Sequence, residues 1–260
     1  MTVWDGASAA DKPATEAVRY HNRIQKLALG IEESRAYWRH VLPGEAPAAQ
    51  SERAFEERWF GAKSLARIRV LMADLRARYA AFPTALEVLK AWPEMEPETR
   101  RLVCHWHLQL ADPLYRRFSG GWLVDRRLLP GATIGFQPVL QWVLDTNPKD
   151  WSPSTCRQVA GKLLSAVSEA GLVTPPPDPR RIPVPRIPDK ALGYILHLLR
   201  ELQFEGTPFE NPYLGSVGLS GVLLEQRLSV GQWGKVHRMG GLTQIEWKYS
   251  SLRAWAEAEL

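Results

Sequence analysis

Trp151-Ser152-Pro153-Ser154 opens the first half of the stretch that decides the fold. The second half is Thr174-Pro175-Pro176-Pro177-Asp178-Pro179-Arg180-Arg181-Ile182-Pro183-Val184-Pro185-Arg186-Ile187-Pro188. After Ser152, Cys156, Ala160, Leu163, Leu164, Val167 and Ala170 recur at helical spacing until Gly171-Leu172. Start signal, apolar stripe and stop signal predict a core helix. The second half excludes helix and central strand. Seven of the fifteen residues 174–188 are proline, so they lack an N–H and hold φ fixed. The strap divides the chain into a helical domain (1–173), a Pro/Arg-rich linker (174–188) and a smaller module (189–260).

Outward from the strap, helix signals dominate. Upstream, Thr15-Glu16 opens a stretch to Leu29 with Val18, Ile24, Leu27 and Ala28 as a loose stripe, read as a helix. Met1 to Pro13 reads as frayed. Ile31–Leu42 and Ser51–Phe60 follow as short helices. Ser64 then caps the clearest amphipathic helix, with Leu65, Ile68, Leu71, Met72, Leu75 and Tyr79 on one stripe. Pro83-Thr84 with Glu87 forms a capping box, and Glu96-Pro97 and Asp112-Pro113 open further helices. Gly120-Gly121 reads as a break, and helices follow at 122–129 and 137–144. Downstream, Asp189 opens a helix to Leu202. Residues 205–211 read as a polar turn, and Leu219–Leu228 as a shorter helix. Lys235 to Tyr249 changes period to two around Gly240-Gly241, which predicts a β-hairpin. The expected fold is mainly α: an N-terminal multi-helix domain joined by the strap to a winged-helix-like module with one hairpin. Two helices precede the wing in this reading, where three are usual.

At 260 residues and 45% hydrophobic, with 11 Trp, the chain can bury a substantial core. No apolar run reaches the ~20 residues of a membrane span, and residues 1–14 carry no signal-peptide core. The expectation is a cytoplasmic protein with no membrane partner. Cys104 and Cys156 stand alone in predicted helices, which argues against a disulfide framework.

The net charge is +5, unevenly placed: residues 51–130 hold fourteen basic against ten acidic side chains, and the rest is nearly balanced. Most of the excess is Arg, whose planar fork suits phosphate. Charge placement gives the candidate contacts. They are Arg67, Arg76 and Arg78 around the Ser64-capped helix, then Arg116-Arg117 and Arg126-Arg127. Arg180, Arg181 and Arg186 follow on the strap, and Lys235, His237 and Arg238 on the hairpin. A proline-rich segment projects such side chains at little ordering cost. The plainer alternative for each cluster is a solvated surface or a tether.

Other chemistry finds little support. Cys104 and His107 share a helical face while His105 points elsewhere, so one face offers two ligands where zinc needs three or four. GxSxG, P-loop, HExxH and Rossmann patterns are all lacking, so neither catalysis nor a cofactor is expected.

Two segments carry a resemblance. Cys104-His105-Trp106-His107-Leu108-Gln109-Leu110 runs into Asp112-Pro113-Leu114-Tyr115-Arg116-Arg117-Phe118. Trp151 heads a helix ending Ala170-Gly171-Leu172, followed by a basic tail module. Together they resemble the BrxA family of BREX bacteriophage-exclusion systems, over roughly residues 50–172. The resemblance implies a helical, non-enzymatic protein that binds double-stranded DNA. It also implies a defence system whose other subunits include a methyltransferase, an ATPase and a phosphatase-like protein. The alternative from another class is an interaction scaffold of such a complex without DNA contact.

Overall fold

The computed structural model describes residues 13–230, 233–239 and 242–260. The expected fraying of residues 1–12 and the Gly240-Gly241 turn lie outside them. The protein is mainly helical. β1 (Ala14–Thr15) leads through a single 3₁₀ turn at Arg23–Gln25 to α1 (Ile31–His40), α2 (Pro47–Glu56) and α3 (Leu65–Tyr79). Then come α4 (Pro83–Lys90), α5 (Pro97–Ala111), α6 (Pro113–Arg117) and α7 (Leu123–Arg127). β2 (Thr133–Ile134), α8 (Phe136–Thr146) and α9 (Pro153–Glu169) complete the first part. β3 (Arg180–Arg181) lies in the strap, followed by α10 (Asp189–Arg200), β4 (Leu202–Gln203), α11 (Pro212–Ser216) and α12 (Gly221–Val230). The chain ends with β5 (Gly234–Met239), β6 (Leu242–Trp247) and α13 (Leu252–Glu259).

The capped helices form where their signals stand. The hydroxyl of Ser64 accepts from the Arg67 N–H and that of Ser152 from the Thr155 N–H, while Asp112 accepts from Leu114 and Tyr115. α3 buries Ile68, Leu71, Met72, Leu75 and Tyr79. α5, with both its faces in the interior, buries every residue from Leu102 to Ala111.

Residues 15–29 are not a helix. The backbone here is satisfied from a distance. Arg78 donates to the carbonyls of Leu27, Ala28 and Leu29 at 2.7, 2.6 and 2.6 Å. Arg116 donates to the Ala17 carbonyl at 2.7 Å, and the Ala17 N–H donates to Leu110 at 2.7 Å. The buried carbonyls of Leu27, Ala28 and Leu29 are thus satisfied without a helical ladder. Gly30, at φ 65°, ends the segment and opens α1.

Gly120-Gly121 does not break the chain's helical run. α6 passes into α7 through a π-helical turn at Phe118–Trp122. Gly120 is needed there, because a Cβ at that position would lie 2.4 Å from the Pro212 Cβ and 2.7 Å from its carbonyl oxygen. α11 therefore sits directly on the widened turn.

Three helices, not two, precede the hairpin. The one not expected is α11, capped by Asn211 accepting from the Leu214 N–H, with Pro212 as its first residue. The boundary at the strap is also not a boundary of the core, since one apolar cluster runs through both parts. α10 packs on α5, and α13 on α4. β1 pairs in parallel with β4, and β2 pairs antiparallel with β3. The strap is thus tied to the helical part: Thr133 faces Arg181 across the ladder, and Ile182 is buried. No helix among the described residues is long and apolar enough to cross a membrane.

Candidate nucleic-acid interface

The thirteen cationic candidates separate by what the fold does with each. Two are interior. Arg78 is buried on the three carbonyls described above. Arg116 is buried, donating to the Gln109 and Ala17 carbonyls, with Glu16 3.4 Å from its Nε. Glu16 also accepts from the Tyr213 hydroxyl. Both arginines act as structural clasps for the N-terminal segment, which corrects the expectation that they face phosphate. Desolvated guanidinium groups with satisfied donors cannot reach a ligand without unfolding their surroundings.

Four more have partners at the surface. Arg67 donates to the Lys26 carbonyl at 2.8 Å, and Arg76 to Gln50 Oε1 at 3.2 Å. Arg180 pairs with Asp178 at 2.8 Å, and His237 with Glu246 at 3.1 Å. The contacts of Arg67 and His237 are exposed and held by little energy, whereas those of Arg76 and Arg180 are partly buried. Arg126 lies 4.4 Å over the Trp122 ring. The side chain of Arg238 is outside what the structure describes.

Arg127 stands apart. Its Nε, Nη1 and Nη2 are all shielded from solvent, and none has a hydrogen-bond partner in the structure. Burial lowers its pKa. A shielded guanidinium without acceptors is uncommon in folded proteins and calls for a cause.

The remaining four are Arg117, Arg181, Arg186 and Lys235. All are exposed, and among the described residues none makes a side-chain hydrogen bond or ion pair. Arg181 leaves the strap on the strand paired with β2. Arg186 lines an open groove between the strap and α12, together with Val184, Gly218, Leu223 and Val230.

α12 presents Val222, Leu223, Gln226, Ser229 and Val230 outward, with Val222 67%, Leu223 58% and Val230 85% exposed. The helix's own cation, Arg227, is spent on the strap, donating to the Ile187 carbonyl at 2.8 Å and to Asp189 at 2.6 Å. Charge counting overlooked Arg227 as the strap's fastener, although its position near α12's C-terminus was visible.

The histidine cluster is accounted for by internal contacts. His105 lies 2.8 Å from both the Tyr115 hydroxyl and Ser216 Oγ. His107 lies 2.6 Å from the Tyr194 hydroxyl and 3.3 Å from the Arg78 carbonyl. Burial, with the Arg127 charge nearby, lowers the His105 pKa to about 3. Burial lowers that of His107 to about 4 and raises that of Cys104 to about 11. Both imidazoles are thus neutral at physiological pH and join α5 to the C-terminal helices.

No family model matches the chain, and no curated protein does. A solved structure does. The crystal structure of an uncharacterized protein from Magnetospirillum magneticum is similar, with a TM-score of 0.57 and 16% identity. The match covers 77% of this chain and 98% of that one. At that identity the likeness speaks to the fold and not to the function.

Proposed function

We propose that the protein is a non-enzymatic accessory subunit that binds double-stranded DNA, chiefly through phosphate. The observation that carries this reading is that four of the candidate cations, Arg117, Arg181, Arg186 and Lys235, are exposed and have no ion pair among the described residues; Arg19, Arg39, Arg58, Arg101 and Lys149 are exposed and unpaired as well. Cations not engaged by carboxylates are available to a polyanion, which gains by releasing its counter-ions when they bind. The C-terminal element order supports it. α10, α11 and α12 followed by the β5–β6 hairpin is the order of a winged-helix module, and Lys235 and His237 then lie on the wing. The resemblance to the BrxA family supplies the setting. The partners would be the methyltransferase, ATPase and phosphatase-like subunits of a prokaryotic antiphage system. The test is duplex binding at two salt concentrations. Four phosphate contacts give a slope of log affinity against log salt of about −3.6. Binding that ignores salt, or no binding at low salt, contradicts the reading.

A second reading has its own observation. The outward face of α12 carries Val222, Leu223 and Val230 and only Gln226 and Ser229 as polar side chains, where a base-reading helix would be mostly polar. In that reading α12 and the strap groove dock another subunit, and the protein is a scaffold. Leu223→Asp with Val230→Asp separates the two. Loss of co-purification with a co-expressed subunit and unchanged DNA binding supports docking at α12.

A further inference from the structure

The corner joining α7 to β2 carries two of the most exposed large apolar side chains in the structure. Leu128 is 80% exposed and Leu129 is 58% exposed. The corner is not loose. The Leu128 N–H donates to the Asp125 carbonyl at 3.3 Å, Leu129 to Arg126 at 3.1 Å and Ala132 to Leu129 at 3.2 Å. Gly131, at φ +64°, takes the left-handed conformation that closes the turn. The two leucines are therefore held out toward solvent by a hydrogen-bonded scaffold, and among the described residues they stay 80% and 58% exposed.

The surroundings of this tip are basic. Arg126 and Arg127 precede it directly, and Arg181 stands beside β2 on the paired strand, exposed and without an ion pair. Along residues 125–134 and 178–186 there are five arginines against two aspartates; Arg127 is shielded and Arg180 is paired, which leaves Arg126, Arg181 and Arg186 against Asp125. One of those aspartates, Asp178, is already engaged by Arg180 and by the Phe136 N–H. An apolar tip alone suits a protein, a lipid or a base step. Arginines on both flanking segments select an anionic surface, and on the DNA-binding reading that surface is a duplex, whose base faces become apolar contacts when a step is unstacked.

We propose that Leu128 and Leu129 form a wedge that enters a base-pair step of bound DNA while Arg126 and Arg181 hold the flanking phosphates. Apolar side chains inserted this way unstack the step and bend the duplex, and they work best in the minor groove. The proposal rests on the DNA-binding reading and deepens it by assigning the element that deforms the duplex.

The experiment uses the full chain and A·T-rich duplexes carrying 2-aminopurine at successive steps, with donor and acceptor dyes at the ends. Wild-type protein is expected to raise the 2-aminopurine fluorescence several-fold at one or two steps and to shorten the end-to-end distance. The double variant Leu128→Ser with Leu129→Ser is expected to keep its circular dichroism and its salt-dependent binding. It should lose affinity by about tenfold and lose the fluorescence rise. Wild-type binding with no fluorescence change, or a rise that survives in the variant, overturns the wedge and leaves DNA binding standing. Absence of any duplex binding by the wild type removes the underlying reading and the wedge with it. Leucine-dependent binding to vesicles of phosphatidylcholine and phosphatidylserine, with no unstacking of DNA, overturns the wedge in favour of a lipid surface.

Discussion

Within the helical part, Arg78 and Arg116 lie beneath the surface, their guanidinium groups donating to carbonyls of the N-terminal segment, Arg116 also to that of Gln109. On the strap, Arg181 and Arg186 stand in solvent without a carboxylate. Arg116 and Arg117 show the contrast between adjacent residues. The same side chain acts as a donor cluster that replaces local backbone hydrogen bonding in one region, and as a free surface charge in the other. A basic composition therefore overstates the charge available to a ligand.

The largest expected break in this comparison comes from acting on both sides with one substitution type. Arg78→Met leaves three buried carbonyls without donors and is expected to cost about 3–5 kcal/mol of unfolding free energy in a denaturant titration. Arg181→Met should stay within about 0.5 kcal/mol. Equal effects would erase the distinction.

Acid comes next. The folded pKa values of His105 and His107 are about 3 and about 4, below the unfolded value of about 6.5. The unfolded state takes up protons first, so stability is complete above about pH 6.5 and falls as pH drops toward the folded values. By pH 5 each histidine is expected to cost roughly 2 kcal/mol. Unfolding free energies measured at pH 7.5 and pH 5 check this. His105→Gln combined with His107→Gln should flatten the dependence even if it lowers stability overall.

Arg127 sharpens the comparison from between its two sides, being shielded like Arg78 and unpartnered like Arg181. Replacing it with Met removes an uncompensated charge and is expected to raise stability by about 1 kcal/mol, read as a higher melting temperature. A lower melting temperature would mean that its guanidinium has an acceptor after all.

Much of the helical frame was legible. Ser64, Asp112 and Ser152 mark true N-caps, and the strap's prolines excluded helix as expected. What local pattern missed was decided by distant groups. Of the expected stripe, Ile24, Leu27 and Ala28 are buried and Val18 is exposed, and Arg78 holds the carbonyls of Leu27 and Ala28 in a non-helical backbone. Asn211-Pro212 is a proper helix start, yet five residues give too little periodicity to recognise. Gly120-Gly121 suggested a break because glycine destabilises helices, whereas the close approach of Pro212 gives Gly120 its use. Arg78 was misassigned despite a usable signal. It falls seven residues after Leu71 and three after Leu75, on the stripe that α3 buries. The strap's ladder with β2 had no local signal, since two-residue strands are set by the elements they lie against.

The central claim is that Arg117, Arg181, Arg186 and Lys235, exposed and without a partner among the described residues, meet DNA. The most direct test measures duplex affinity across a salt series for the wild type and for a variant carrying Arg117→Ala, Arg181→Ala, Arg186→Ala and Lys235→Ala. The account predicts an unchanged fold, weaker binding at low salt and a slope shallower by about 3–4 units. A variant that keeps both the wild-type affinity and the wild-type slope would contradict it.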